Sequence, residues 1–486
     1  MFTKKEAPIQ GIGGLGGGAF SRLLTSSASG GPTEVASRSL RFDSDNNAHL
    51  SRTPSSTGNV DKWTWAGWVK RGGLGFHTDF FSAVQNGQNA TIIQFDNNDR
   101  LDFENFVGNS DQGRLITDQF FRDTGAWYHI TCIYDSGNST ADDRIKLFVN
   151  GSQVTAINYR TNPSSGQNSI INSTNAHYVG ADKGFNNNYF SGYLADVYFI
   201  DDAAVEPVDN FIELDDNGVY QAKVYNGAFG TNGFHLSFSD ATSTTTIAED
   251  DSGKNNDFTA NNISVSAGSG NDSVFDVPTN GSQSDTGAGG EVSANYATWS
   301  PLVAQSSGSI TLSNGNLDTT CGSTRTTAMS TFHLKGKTYW EVTFGAGTYN
   351  YIGMTEATGF NTVANNNSGI KYTGYKDYSY GWQQTDGKLY KNSNIIASPG
   401  TYSNGDVLGW AYDADNNTLK LYKNGSLVHT ETGIADAQYF PAITHSDNNA
   451  TSSANFGQRP FAHAAPSGYK PVSTATSLST PTIADG

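Results

Sequence analysis

Short clusters of Val, Ile, Tyr, Phe and Trp run the length of the chain, broken about every eight to twelve residues by Gly, Asn, Ser, Thr or Asp. A chain interrupted this often cannot sustain ordinary helices, and runs of Ala, Leu, Glu and Lys at 3.6-residue spacing are missing. Trp63-Thr-Trp-Ala-Gly-Trp-Val-Lys70 alternates, placing Trp63, Trp65 and Val69 on one face and Trp68 on the other. In Arg144-Ile-Lys-Leu-Phe-Val149, Ile145, Leu147 and Val149 point one way, and Asn150-Gly151 follows. Asn and Gly both tolerate the positive φ of a type I′ turn, so this pair predicts a hairpin. The predicted fold class is all-β: two antiparallel jelly-roll-type β-sandwiches in series behind a flexible N-terminal segment.

An internal echo argues for two sandwiches. Ile145-Lys-Leu-Phe-Val-Asn-Gly-Ser-Gln-Val154 aligns without a gap to Leu419-Lys-Leu-Tyr-Lys-Asn-Gly-Ser-Leu-Val428, and each follows a strand ending in Tyr134-Asp135 or Tyr412-Asp413. The first sandwich is expected over 33–205 and the second over 291–470. Residues 206–290 read as a connecting region ending in a polar linker, because 279–290 lacks apolar surface. Residues 471–486, with Pro471 and Pro481, read as an extended C-terminal linker outside the second sandwich, and the natural chain is expected to continue beyond Gly486. Residues 1–32 carry Gly11, Gly13 and Gly16 in GxGxxG spacing, but no strand precedes them and no helix follows, so a dinucleotide site is rejected.

A net charge of −17 repels a phosphate backbone and argues against nucleic-acid binding. Cys132 and Cys321 sit in different predicted domains, which excludes a disulfide framework and CxxC metal spacing. The N-terminus lacks the apolar core of a secretory signal, and no stretch approaches a membrane span. Synthesis in a cytoplasm is expected, yet the Asn/Gly/Thr-rich, aromatic-dotted texture is that of an adhesive surface. A virion protein released by lysis reconciles the two.

Segments 39–43, 63–70, 127–135, 145–151 and 190–201 resemble laminin-G/concanavalin-A-like domains. Tyr339-Trp-Glu-Val342, Gly405-Asp-Val-Leu-Gly409, Tyr422-Lys-Asn-Gly425, Phe440-Pro-Ala-Ile443 and Asn455-Phe-Gly457 resemble the SPRY domain. Their order resembles virion appendage, tail-fibre-like proteins of tailed, notably marine, bacteriophages. That resemblance implies a virion location and binding rather than catalysis. Host-surface carbohydrate or protein is then the expected partner, with a structural decoration or connector as the alternative. Phe20, Leu23 and Leu24 are apolar anchors on a structureless tail, expected to order when docked on other virion proteins. A homo-oligomer is expected, a trimer among the forms, held by sandwich faces because no heptad pattern is sustained.

Catalytic motifs are not found. The nearest approach to the ExDxxE of sandwich glucanases is Glu213-Leu-Asp215, with Gly218 where the last Glu belongs. GxSxG and HExxH are missing, and the histidines are scattered: His129 reads as packed in a strand, His445 and His463 as loop residues. No cofactor or metal site is expected. Asp413, Asp415 and Asn417 imitate the start of a calcium loop, but Thr418 replaces its glycine, so weak Ca²⁺ binding ranks below a simple turn. Two loops have the mixture that recognises sugars, aromatic faces beside Asn and charge. Tyr372 and Tyr375 are the candidates in the second domain, while Tyr378, Tyr380 and Trp382 read as strand core. Phe185, Asn186, Asn187 and Tyr189 are the candidates in the first.

Overall fold

The computed structural model of the chain describes residues 36–214, 220–281, 284–303, 309–322, 325–357 and 372–477. Phe20, Leu23 and Leu24 lie outside the described residues. Antiparallel sheets dominate, as the punctuation of the sequence requires. In the first sandwich the strand Lys62–Arg71 lies between Trp127–Asp135 and Gly192–Asp201. The facing sheet runs, in spatial order, Ile157–Thr161, Asp111–Phe120, Arg100–Phe106, Asn89–Phe95, Thr78–Asn86, Ala176–Val179, His49–Arg52 and Thr259–Asn261. Trp63, Trp65 and Val69 enter the core with Phe80, Phe81 and Phe103, and Trp68 packs on the opposite face with Trp127 and Tyr193. Each large side chain removed from water in this way contributes about 1.5–3 kcal/mol.

The second sandwich packs two sheets in the same manner. One is centred on Lys337–Ala346, between Thr451–Asn455 and Val407–Asp413. The other is centred on Tyr351–Glu356, between Tyr439–His445 and Ser379–Gln383. Trp340, Val342 and Phe344 share the buried face, with Trp340 stacked on Trp410 at 5.9 Å. The two echoing hairpins turn as their sequence demands: φ is 47° and 76° at Asn150 and Gly151, and 48° and 77° at Asn424 and Gly425. Glu341 accepts hydrogen bonds from the backbone N–H groups of Ala462 and His463, which straps the segment after the last strand across the sheet.

Three expectations are corrected. The stretch 206–290 is not a connector: Phe234–Leu236, Thr259–Asn261 and Ser273–Val274 are strands of the first sandwich, and Ile212–Leu214 pairs with Tyr220–Ala222 in a hairpin whose side chains cover Trp68 and Trp127. Nor is the end of that stretch a linker. Lys70 and Asp276 are fully buried and bonded at 2.8 Å, and Lys70 Nζ also donates to Asn295 Oδ1 and the Tyr296 carbonyl. Asn295 donates to the Gly125 carbonyl, Asn316 to that of Gly72 and Tyr193 to that of Gly315, so polar bonds join the two sandwiches directly. Finally, residues 471–476 belong to the second sandwich: Val472 sits in its core, exchanging backbone bonds with Ala297 and Phe456. These segments are polar in composition but find partners for their polar groups, which is what burial requires. Residues 478–486 lie outside the described residues.

Candidate functional site

The tyrosine-rich stretch of the second sandwich forms a cluster on the outer face of the sheet centred on Tyr351–Glu356. Alternation sends Ile352 and Met354 into the core and leaves Tyr351 outside. Tyr390, on Leu389–Lys391, stands nearby at 5.8 Å. The segment 372–375 is laid over the sheet: the Thr373 N–H donates to Thr444 Oγ1 and the Gly374 N–H to Ser379 Oγ. This close approach depends on a missing side chain, because a Cβ at Gly381 would stand 1.9 Å from the Thr373 carbonyl oxygen.

Tyr372 thereby stacks on Tyr351, centroids 4.3 Å apart and planes 22° apart, and meets Tyr375 and Tyr390 edge-on at 5.4 and 6.1 Å. The predicted pair Tyr372 and Tyr375 is therefore in contact, both half-buried. Burial pushes the Tyr351 hydroxyl up to about 12, and Tyr390 donates its own to Asp386 at 2.5 Å. The Arg325 guanidinium stands 5.6 Å from the Tyr372 ring and Lys376 Nζ 5.5 Å from the Tyr375 ring. Tyr380 and Trp382 are core, as expected, but Tyr378 is 44% exposed, because the strand begins only at Ser379. Tyr349, 56% exposed, donates its backbone N–H to Thr385 Oγ1.

The loop 182–189 of the first sandwich is more self-contained. The Asp182 carboxylate accepts the N–H groups of Asn186 and Asn188, and Phe185 packs on Phe106 at 5.4 Å beside Val84, Ala90 and Ile92. Tyr189 leans on His49 at 5.8 Å. Of this predicted set, Asn186 and Asn187 are exposed, and Phe185 and Tyr189 are half-buried. Beneath the loop, Asp79 is completely buried beside Asp182, and burial first and Asp182 second hold its carboxyl well above the ordinary range.

Sequence reasoning missed the charged row across this same sheet. His77 bonds to Gln94, Gln94 donates to Asp102, and Arg114 donates to Asp102 through two nitrogens and to Glu104 through one. The signal was present: Asp102 and Glu104 alternate on one strand, and Glu104 pairs in register with Arg114. Burial pushes Glu104 up to about 8. A glycosidase pair must flank a substrate and reach water, but Asp102 is wholly covered with both oxygens engaged. Also unforeseen is Phe120, 47% exposed between the guanidiniums of Arg100 and Arg122 at 5.1 and 4.7 Å.

His445 is corrected from loop to strand end, buried. Its Nδ1 donates to Asn350 Oδ1 at 2.9 Å and its Nε2 accepts from Thr319 Oγ1 at 2.8 Å. That order matches hydroxyl, base and orienting group of a nucleophilic triad, but Thr319, His445 and Asn350 are all buried, and burial lowers His445 to about 4. The turn at Asp413 uses its carboxylate on the N–H groups of Asp415 and Asn416 and on the Asn416 amide, a turn as expected.

Comparison with known proteins gives two domain matches. Residues 42–207 match the concanavalin A-like lectin/glucanases superfamily, and residues 337–459 match the SPRY domain. Among solved structures, the SPRY domain of human HERC1 is 17% identical over 32% of this chain and 96% of that chain, with a TM-score of 0.27. A heptameric SAP-like pentraxin from Limulus polyphemus is 18% identical over 36% of this chain and 81% of that chain, with a TM-score of 0.28. No curated relative matches the chain. The chain carries a concanavalin A-like domain followed by a SPRY domain.

Proposed function

We propose that the chain is a non-enzymatic binding protein, a virion appendage of the tail-fibre type, whose lectin-like domains attach to a glycan or receptor on the host surface. The observation that carries the binding reading is the tyrosine cluster: Tyr372, Tyr375 and Tyr390, half-buried and flanked by charge, gathered around buried Tyr351 on an outer sheet face. Aromatic faces held this way suit the apolar faces of sugar rings, and exposed Asp386, bonded to Tyr390, suits hydroxyls. The virion assignment rests on the order of the two domain types and on the resemblance of the quoted motifs. Anchoring through residues 1–32 is part of the proposal; normal incorporation of a chain deleted for 1–32 into particles would contradict it.

The rival is a decoration or connector that touches only other virion proteins, and the polar weld around Lys70 and Asp276 favours it, since a rigid two-sandwich body suits a strut. A glycan array probed with the full chain separates the two. Binding that disappears in Tyr372→Ala and Tyr375→Ala supports attachment, whereas silence at every density supports the connector. Release of reducing ends from host polysaccharide by purified protein would overturn the non-enzymatic reading.

A further inference from the structure

We infer that the tyrosine cluster of the second sandwich selects a saccharide carrying negative charge, a uronic acid or a sulfated sugar. The inference rests on the binding reading above and narrows it to a ligand class.

The cluster has cations at its margins. Exposed Arg325 stands 5.6 Å from the face of Tyr372, and Lys376 stands 5.5 Å from the face of Tyr375. The acidic groups close by are Asp377, next to Lys376 in sequence, and Asp386, which already accepts the Tyr390 hydroxyl. In sequence, residues 325–391 hold seven Lys or Arg against four Asp or Glu, while the whole chain holds 29 against 46. Two cations thus stand within 6 Å of the cluster's rings in a protein that is otherwise strongly acidic.

Range decides which charge a ligand feels. At about 0.15 M salt the Debye length is about 8 Å, so remote carboxylates are largely screened. Arg325 and Lys376, within 6 Å of the rings that would hold a sugar, are not. A neutral sugar gains only ordinary hydrogen bonds from them. A carboxylate or sulfate on a ring stacked against Tyr372 or Tyr375 gains a charge-assisted hydrogen bond from either, and Arg325 offers the planar fork that fits such oxyanions. The chain's overall charge also disfavours nonspecific retention of polyanions, so an acidic saccharide that binds has found a particular place.

The test measures the affinity of the full chain, at about 0.15 M salt, for matched pairs: oligogalacturonate beside its carboxyl-reduced form, and sulfated galactan beside its desulfated form. The expected result is binding about tenfold tighter for the acidic member. Arg325→Gln and Lys376→Gln each erase most of that preference, weakening the acidic member's binding far more than the neutral member's. Tyr372→Ala weakens both members. Both glutamine variants change exposed or half-exposed side chains, and an unchanged melting temperature verifies their fold. Equal affinity for the two members, lost in Tyr372→Ala, overturns the charge inference and leaves the binding reading standing. Binding of none of the four ligands overturns the charge inference, and the glycan array then decides the binding reading separately. Equal binding of poly-glutamate, insensitive to Tyr372→Ala, also overturns the inference, since charge alone would then suffice.

Discussion

The outer sheet faces of the two sandwiches solve opposite problems. On the first, Gln94, Asp102, Glu104 and Arg114 satisfy one another, and the loop 182–189 folds down so that Phe185 covers the neighbouring apolar residues. On the second, Tyr372 stacks on buried Tyr351 and meets Tyr375 and Tyr390 edge-on, and these three outer rings stay partly exposed. A face whose polar groups are already paired has little to offer a ligand, since any new bond must replace an existing one. Aromatic rings held by packing on one side lose little in accepting a sugar on the other. Paired charge fixes a sheet, and supported aromatics leave it available.

The contrast can be broken most severely at Asp102. Removing its carboxylate takes two bonds from Arg114, which keeps Glu104, and the one that Gln94 donates, so Asp102→Ala should cost about 3 kcal/mol in denaturant unfolding while leaving ligand affinity unchanged. A loss below about 1 kcal/mol would show that the row is not a unit. Glu104 gives a pH test of the same face. Its folded value, raised from 4.5 to about 8 chiefly by burial, means that the proton it holds stabilises the fold fully below 4.5. That stability is lost as pH rises through about 8. From about pH 5 to about pH 9 the decline should be on the order of 3 kcal/mol, and Glu104→Gln should flatten it. A decline of the same size in the glutamine variant would assign it elsewhere.

On the open face the expected effects shift from stability to binding. Gly381→Ala pushes a methyl group against the Thr373 carbonyl and lifts Tyr372 off Tyr351, at about 1–3 kcal/mol in stability and with loss of glycan binding. Tyr372→Ala removes one stacked ring and should cost about 1 kcal/mol in stability while weakening binding at least about tenfold. Asn186→Ala, at an exposed loop position, should change either property by less than about 0.5 kcal/mol.

What the sequence made legible follows the same division. Alternation located Trp63, Trp65 and Val69 in one core and Trp340, Val342 and Phe344 in the other, because a strand's period of two survives into the fold. Asn-Gly located both hairpin turns, because positive φ is a local property of those residues. Composition misled where burial is polar. Lys70, Asp276 and Asn295 look like solvent-facing residues one at a time and become interior only as a set, joined across more than 200 positions of sequence. The tail around Val472 failed for the same reason, its backbone partners lying far back at Ala297. In the site, Tyr372 and Tyr375 were readable as aromatics beside glycine and charge. Their partners Tyr351 and Tyr390 were not, since only sheet register brings those rings together. The carboxylates Asp102 and Glu104 were overlooked because a three-acid motif was sought where two acids and an arginine stand.

Hydrogen–deuterium exchange of the full chain, with and without the saccharide that binds it most tightly, tests the contrast most directly. Exchange should slow over 372–394, around Tyr372, Tyr375 and Tyr390, with no change over 100–114 or 182–189. Slowed exchange over 100–114 or 182–189 with none over 372–394 would contradict it, placing the ligand on the face described here as closed.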